Sequence, residues 1–197
     1  MAVSDADLER AARAIHDGDA VIFPTETVYG LGADALDPAA INQVFKLKGR
    51  SRDKPLSLGV PDVETALAYT TPTDRERRFM EEFLPGPVTV IVERKPVVPD
   101  ALTGGLDKVG IRIPDHEVAL SLLGKVEPVT ATSANISGQP SAHVIEDIDP
   151  ELREAVAVVL DAGETRGTES TVVDVEAGVI HRRGTWADDI EAWLGEQ

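Results

Sequence analysis

Two spacings of apolar residues divide the chain. At helical spacing stand Leu8, Ala11, Ala12 and Ile15, behind Ser4 as N-cap with Asp7 at the capping-box position, and Gly18 marks their end. Ile41, Val44 and Phe45 form the buried face of a second helix, opened by Asp37 as N-cap and Pro38 at the first helical position. Lys48 falls on that same face near the helix end, and Gly49 stops it. A weaker helix is expected over 62–69. Thr73 and Glu76 box the start of another, which carries Phe79, Met80, Phe83 and Leu84 and is broken by Pro85-Gly86-Pro87. Asp115 is expected to cap a helix through Leu123, stopped by Gly124. Thr185 is expected to cap a last one with Trp186, Ile190, Trp193 and Leu194 on one face.

Short apolar runs predict strands at 20–23, 56–60, 88–92, 109–113, 128–131, 155–160, 170–175 and 179–182. Loops are expected at 24–32, 96–108, 132–138 and 161–169. Strands and helices intermingle, with no internal repeat, low-complexity segment or linker, so the pattern predicts one α/β domain over 1–197.

Two of the loops carry candidate chemistry. Pro24-Thr25-Glu26-Thr27-Val28-Tyr29-Gly30-Leu31-Gly32 follows a strand and packs hydroxyls, a carboxylate and two glycines into nine residues. Such a loop either caps its own backbone or receives a polar ligand. Thr132-Ser133-Ala134-Asn135-Ile136-Ser137-Gly138 is a second hydroxyl-rich loop after a strand. Strand ends of α/β sheets are where ligands usually bind.

Charge adds a third group. The net charge is -16, from 35 acidic and 19 basic residues, and arginine outnumbers lysine 13 to 6. A surface this acidic repels nucleic acid and suits a salt-rich cytoplasm, where screening suppresses self-repulsion. Positive charge survives at Lys46, Lys48, Arg50, Arg52 and Lys54, five of the 19 basic residues, so an anion is expected there. The plainer alternative is a solvated basic loop. The chain has no cysteine, which removes disulfides, thiolate zinc sites and a cysteine nucleophile. No apolar run approaches the ~18 residues of a membrane span. The start, Met1-Ala2-Val3-Ser4-Asp5, lacks the basic flank and apolar centre of a signal peptide. A cytoplasmic protein without membrane contact is the expectation. Neither GxxxxGK[ST] nor a post-strand GxGxxG is present, so a nucleotide would be bound by another design.

PTETVYGLGAD at 24–34, KGR at 48–50, KPL at 54–56, PGPVT at 85–89, VGIRIPDH at 109–116, TSANISG at 132–138 and ESTVVD at 169–174 occur in that order. Together they resemble the YrdC/TsaC family of L-threonylcarbamoyladenylate synthases, from the first helix to about Gly184. The resemblance implies a twisted mixed β-sheet flanked by helices, with an open cleft. It implies condensation of L-threonine, bicarbonate and ATP into threonylcarbamoyl-AMP and pyrophosphate, with Mg2+ accompanying the ATP. A tRNA-modifying partner complex would then carry the threonylcarbamoyl group to tRNA. Such chemistry needs position and positive charge more than a protein nucleophile, which agrees with the missing cysteine.

By position, the resemblance assigns ATP to Lys48, Arg50, Lys54, Ser133, Asn135, Ser141 and Arg182, with Lys48 and Arg50 the catalytic pair. It assigns threonine to Thr27, Arg112 and Ser170, with Thr25 and Tyr29 shaping the pocket. Arg112 would face the threonine carboxylate; buried, it would otherwise need an acidic partner. No protein residue is assigned to the metal. Glu26 is left open between a base or magnesium ligand and a bond to its own loop.

The sequence also departs from the family pattern it resembles. Leu58-Gly59 stands where some members place a threonine-contacting histidine after the KPL motif. Some members carry a further C-terminal domain, whereas this sequence ends at Gln197, so closure is expected from its own loops or a partner. RNA contact is expected to be weak and confined to the basic cluster. His16, His116, His143 and His181 lack metal-ligand spacing and are read as structural, Trp186 and Trp193 as core, and Arg75, Arg77 and Arg78 as a solvated helix face. The alternatives are a YciO-like nucleotide- or RNA-binding protein and a hydrogenase-maturation carbamoyl-transfer module. The latter would bring cysteine-rich zinc segments.

Overall fold

The computed structural model describes residues 3–196; Met1, Ala2 and Gln197 of the expected 1–197 unit lie outside the described residues. Helix α1 (Asp5–His16) starts with the expected capping box, in which Asp7 N–H donates to Ser4 Oγ and Ser4 N–H donates to the Asp7 carboxylate. Strand β1 (Val21–Phe23) follows. Then comes β2 (Gly30–Gly32), within the stretch expected to be a loop. Two glycines in three residues carry no strand signal of their own; the segment is a strand because β1 and a later strand pair with it on either side.

Helix α2 (Pro38–Lys48) begins at Asp37 and ends at Gly49, whose φ of 55° is the left-handed cap the sequence called for. β3 (Ser57–Gly59), α3 (Val63–Tyr69) and α4 (Asp74–Phe83) follow, α4 with its Thr73–Glu76 capping box. β4 (Val88–Glu93) and β5 (Lys108–Arg112) flank a segment that holds a short helix, α5 (Asp100–Thr103), where only loop was expected. Helix α6 (Glu117–Leu123) starts one residue later than expected: His116, not Asp115, is its N-cap, without a side-chain bond. β6 (Val129–Ser133) runs on into the second hydroxyl loop.

Where a strand is expected over 155–160, only Val158–Val159 is one, β7; it follows a 3-10 turn (Ile145–Asp147) and helix α7 (Pro150–Ala155), capped by Asp149. β8 (Thr171–Asp174), β9 (Val179–Arg182) and α8 (Ala187–Gly195) complete the chain. Thr185 does not cap α8. Its backbone is tied to Glu169 and Thr171, and Trp186 takes the N-cap with a φ of 63°.

All nine strands among the described residues join one mixed sheet in the order β7-β1-β2-β6-β3-β5-β4-β8-β9. β6 holds it together. Its residues 129–131 pair with β3 and its residues 132–133 with β2, both antiparallel. The sheet's two faces differ. Leu58, Val90, Val92, Val109, Ile111 and Val173 point to the back, into the large core built with α2, α4, α7 and α8. On the front, α1 and α6 cover one end, packing Leu8, Ile15 and Leu122 against Val21, Phe23 and Val129. The rest of the front face carries no helix and forms the floor of a cleft.

Trp193 meets Phe79 edge-on, ring centroids 5.0 Å apart, as expected of a core residue. Trp186 instead is 41% exposed, with its ring against Gly86. Arg75 is not part of a solvated face either. It donates to the Val175 and Leu194 carbonyls and lies over the Trp193 ring, whereas Arg77 and Arg78 are exposed. No helix among the described residues is long and apolar enough to cross a membrane.

Candidate active site

Strand alternation builds the cleft floor. Ser57 and Gly59 of β3, Thr89 and Ile91 of β4, Lys108, Gly110 and Arg112 of β5, and Ala131 and Ser133 of β6 share the front face and line a cavity of about 330 Å³. Gly110 keeps this floor flat. A Cβ there would lie 2.5 Å from Ser57 Oγ and 2.8 Å from Thr89 Cγ2.

Thr25, Thr27, Arg112 and Ser170 form one group of its lining residues. Thr25 Oγ1 donates to Val28 O at 2.6 Å and accepts from the Thr27 and Val28 amides, which folds the loop into a hydroxyl turn. Thr27 Oγ1 is 2.9 Å from Thr25 Oγ1, and Thr27 O accepts from Gly167 N–H at 2.8 Å. The Arg112 guanidinium is buried. It donates to the carbonyls of Gly86 and Ile113, to Glu26 Oε1 at 2.7 Å, and more weakly to Thr27 Oγ1 at 3.5 Å. Burial pulls its pKa down, and the Glu26 carboxylate beside it opposes that. Glu26 is therefore the acidic partner a buried arginine requires. Ser170 Oγ accepts from Arg182 at 2.9 Å and lies 3.3 Å from Thr89 Oγ1.

Arg50, Ser133, Glu169 and Arg182 form a second group, which adjoins the first where Arg182 donates to Ser170. Arg50 donates to the Lys54 and Pro55 carbonyls, each at 3.0 Å, and so folds the basic loop back on itself. Its pKa is held down by burial and then by the Arg182 guanidinium. Two like charges on one cavity raise its affinity for an anion that would relieve their repulsion. Glu169 balances only part of this: its carboxylate accepts from Ser141 Oγ at 2.7 Å and lies 3.3 Å from Arg182.

Of the residues proposed from sequence, Thr27, Arg50, Arg112, Ser133, Ser170 and Arg182 line the one cavity. Three others stand behind it and hold its walls. Lys48 Nζ donates to Ser133 O at 2.5 Å, to Asn135 O at 2.7 Å and to Asn135 Oδ1 at 3.3 Å. Ser133 Oγ and Asn135 Oδ1 are 2.5 Å apart, and Asn135 Nδ2 donates to Ile136 O and Gln139 O. Ser141 reaches the cavity through Glu169. Burial, and then Arg50, lower the Lys48 pKa to about 8. Lys54 is exposed and meets the site only through its carbonyl. Tyr29 is fully buried, donating to Gly163 O at 2.7 Å, so it ties the 161–169 loop down beside the pocket. Thr89, Lys108, Gly110 and Glu169 line the cavity and were not singled out from sequence. The signal was present in β5, where Lys108, Gly110 and Arg112 break the apolar run at every second residue, and more faintly in β4 at Thr89.

Residues 13–184 match the Sua5/YciO/YrdC family, described as "Telomere recombination". The chain belongs to this family. It is similar to the threonylcarbamoyl-AMP synthase of Pyrococcus abyssi, 42% identical over 193 residues, covering 94% of this chain and 56% of that one. The threonylcarbamoyl-AMP synthase of Bacillus subtilis is 36% identical over 205 residues, covering 99% of this chain and 58% of that one. Among solved structures, P. abyssi Sua5 complexed with L-threonine superposes with a TM-score of 0.86 at 39% identity, covering 93% of this chain and 56% of that one. The chain thus spans a little over half the length of these relatives. The nine-stranded mixed sheet with its open face is the architecture the sequence resemblance implied.

Proposed function

We propose that the chain is an L-threonylcarbamoyladenylate synthase, joining L-threonine, bicarbonate and ATP into threonylcarbamoyl-AMP with release of pyrophosphate. One observation carries the reading: a single cavity brings an arginine-and-hydroxyl group, suited to an amino acid, beside a pair of arginines suited to phosphates. The named relatives and the threonine-bound P. abyssi structure support it. Threonine's amine and bicarbonate give a carbamate, and a carbamate oxygen attacks the α-phosphate. The protein holds the reactants in line and neutralises charge. Arg112, Thr27 and Ser170 take the amino acid. Arg50, Arg182 and Ser133 take the nucleotide, with Lys48 fixing the Ser133–Asn135 loop.

Magnesium enters as the ATP chelate, part of the substrate. Among the described residues no three His, Cys, Asp or Glu side chains group as a metal site, so the phosphates would supply most of its ligands. The product would pass to a threonylcarbamoyl-transfer complex acting on tRNA, with direct RNA contact kept weak by the acidic surface. The test is incubation with ATP, labelled bicarbonate and L-threonine at high salt. Threonine-dependent pyrophosphate and threonylcarbamoyl-AMP are expected. ATP binding without threonine-dependent turnover would favour the YciO-like alternative.

A further inference from the structure

Among the described residues, Trp186 is the only one other than glycine with a positive φ. A bulky side chain in the left-handed region is strained, and such strain persists only where the surroundings over-determine it. Here the turn is sewn to the start of β8. Thr185 N–H donates to Glu169 O at 3.1 Å, and Gly184 N–H donates to Thr171 Oγ1 at 3.0 Å. Thr171 Oγ1 in turn donates to Thr185 O at 2.7 Å. Gly184 lies so close to the Glu169 and Ser170 backbone that a side chain there would not fit.

The strained backbone lays the indole on Gly86. A Cβ on Gly86 would lie 2.6 Å from Trp186 Cζ3 and 3.1 Å from Trp186 Cη2, and would also strike the Phe83 carbonyl. Gly86 is thus boxed between that carbonyl and the ring. It is also the seat of Arg112. Its carbonyl accepts from Arg112 Nη1, which donates as well to Ile113 O at 3.1 Å. Its amide donates to Ile113 O at 3.0 Å. Nη1 is spent on these two carbonyls, so the position of Gly86 sets the tilt of the guanidinium plane. Trp186 itself does not line the cavity, and whatever it does for the site passes through Gly86.

We propose that Trp186 is a positioning residue for amino-acid binding: its indole pins Gly86, and the Gly86 carbonyl holds the Arg112 guanidinium where it meets the substrate carboxylate. The inference rests on the synthase reading above, in which Arg112 and Ser170 take the amino acid. The same turn is tied to the backbone on either side of Ser170. Trp186 therefore joins the seat of Arg112 to the strand start that carries Ser170, and keeps the spacing of two groups that share one small ligand. A misplacement on the order of 1 Å at such a clamp is enough to weaken it severely.

Plain aromatic packing accounts for less. The Trp186 ring is tilted against Phe83, with centroids 6.4 Å apart. Phe83 already stacks on Phe79 at 4.5 Å and meets Trp193 edge-on at 6.5 Å. A ring serving Phe83 alone would need neither a strained backbone nor a half-exposed position.

The experiment measures threonine-dependent pyrophosphate release in Trp186→Gly, which removes the ring and the backbone strain together. The urea midpoint should stay near wild type, since relief of strain offsets lost packing. The KM for L-threonine should rise about tenfold, while the KM for ATP changes less than about twofold. Trp186→Phe, whose shorter ring covers Gly86 only in part, should fall between wild type and Trp186→Gly. An unchanged threonine KM in Trp186→Gly, or equal rises for both substrates, would make Trp186 a packing residue and overturn the inference alone. Wild-type protein without threonine-dependent pyrophosphate release would overturn the synthase reading with it. If Trp186→Gly does not fold, Trp186→Phe carries the test: a roughly threefold rise in the threonine KM alone is expected, and no rise overturns the inference.

Discussion

The two ends of the sheet's front face share strand β6 but meet different demands. At the covered end, Val21, Phe23 and Val129 meet Leu8, Ile15 and Leu122 from two helices, and water is excluded. At the bare end, Ser57, Thr89, Gly110, Ser133 and Arg112 stand where a helix would need apolar partners. The back face stays apolar beneath both ends. The contrast teaches that the cleft is built by withholding a layer. The sheet is stabilised from behind, so the front residues are free to be chosen for chemistry. Stability and activity should therefore separate along β4, β5 and β6.

The largest expected effect tests the covered end. Leu122→Ala, at a fully buried site, should cost about 2–5 kcal/mol in urea unfolding while threonine-dependent turnover per folded molecule stays near wild type. A large loss of turnover there would break the separation. Next comes the bare end. Arg50→Ala should lower ATP turnover roughly 100-fold, or about 2.7 kcal/mol, with little change in the urea midpoint. Wild-type turnover in this variant would reduce the basic cluster to a solvated loop.

Lys48 lies on both sides of the comparison, since its ammonium holds the site loop from a buried position. Folded, it loses its proton near pH 8, whereas its ordinary value is 10.5. Between those values the unfolded chain binds the extra proton, so stability should rise as pH goes from 8 toward 10 and fall back as pH drops through 8. Each unit of separation is worth about 1.36 kcal/mol. Lys48→Met should flatten this rise, measured by urea midpoints at pH 7.5 and 10. Above pH 10 the phenols of Tyr29 and Tyr69, both pushed up to about 12 by burial, pull stability the other way. The smallest effect sharpens the covered end again. Ser4→Ala removes the capping box of α1 and should cost about 1 kcal/mol in thermal unfolding, with turnover unchanged.

Elements that carry their own local chemistry were legible in the sequence. Ser4–Asp7, Thr73–Glu76, Asp37-Pro38 and Gly49 fix helix ends through caps that need no tertiary context. β2 was hidden because Gly30-Leu31-Gly32 owes its strand to its neighbours. Asp149-Pro150 repeats the Asp37-Pro38 signal and marks α7, but the apolar run after it drew the segment toward a strand. Trp186 at the cap of α8 could not be foreseen, since its positive φ is set by packing on Gly86.

The site was half legible. Hydroxyl loops and basic residues announced themselves by type. The cleft floor did not, because Thr89, Lys108 and Gly110 become a surface only once three strands are in register. The Glu26–Arg112 contact joins residues 86 positions apart, and no pattern along the chain links them.

β6 has a consequence for how the chain is made. It lies between β2, which ends at residue 32, and β3, which ends at residue 59, yet its own last residue is 133. On the ribosome, both earlier strands emerge with the edges that will face β6 still open. At ~5–20 residues per second, the roughly seventy residues from β3 to β6 keep those edges unpaired for about 4–15 s. Unpaired edges invite pairing with another nascent chain. Ten of the sixteen net negative charges lie beyond β6, so the acidic excess emerges too late to keep such chains apart during this interval.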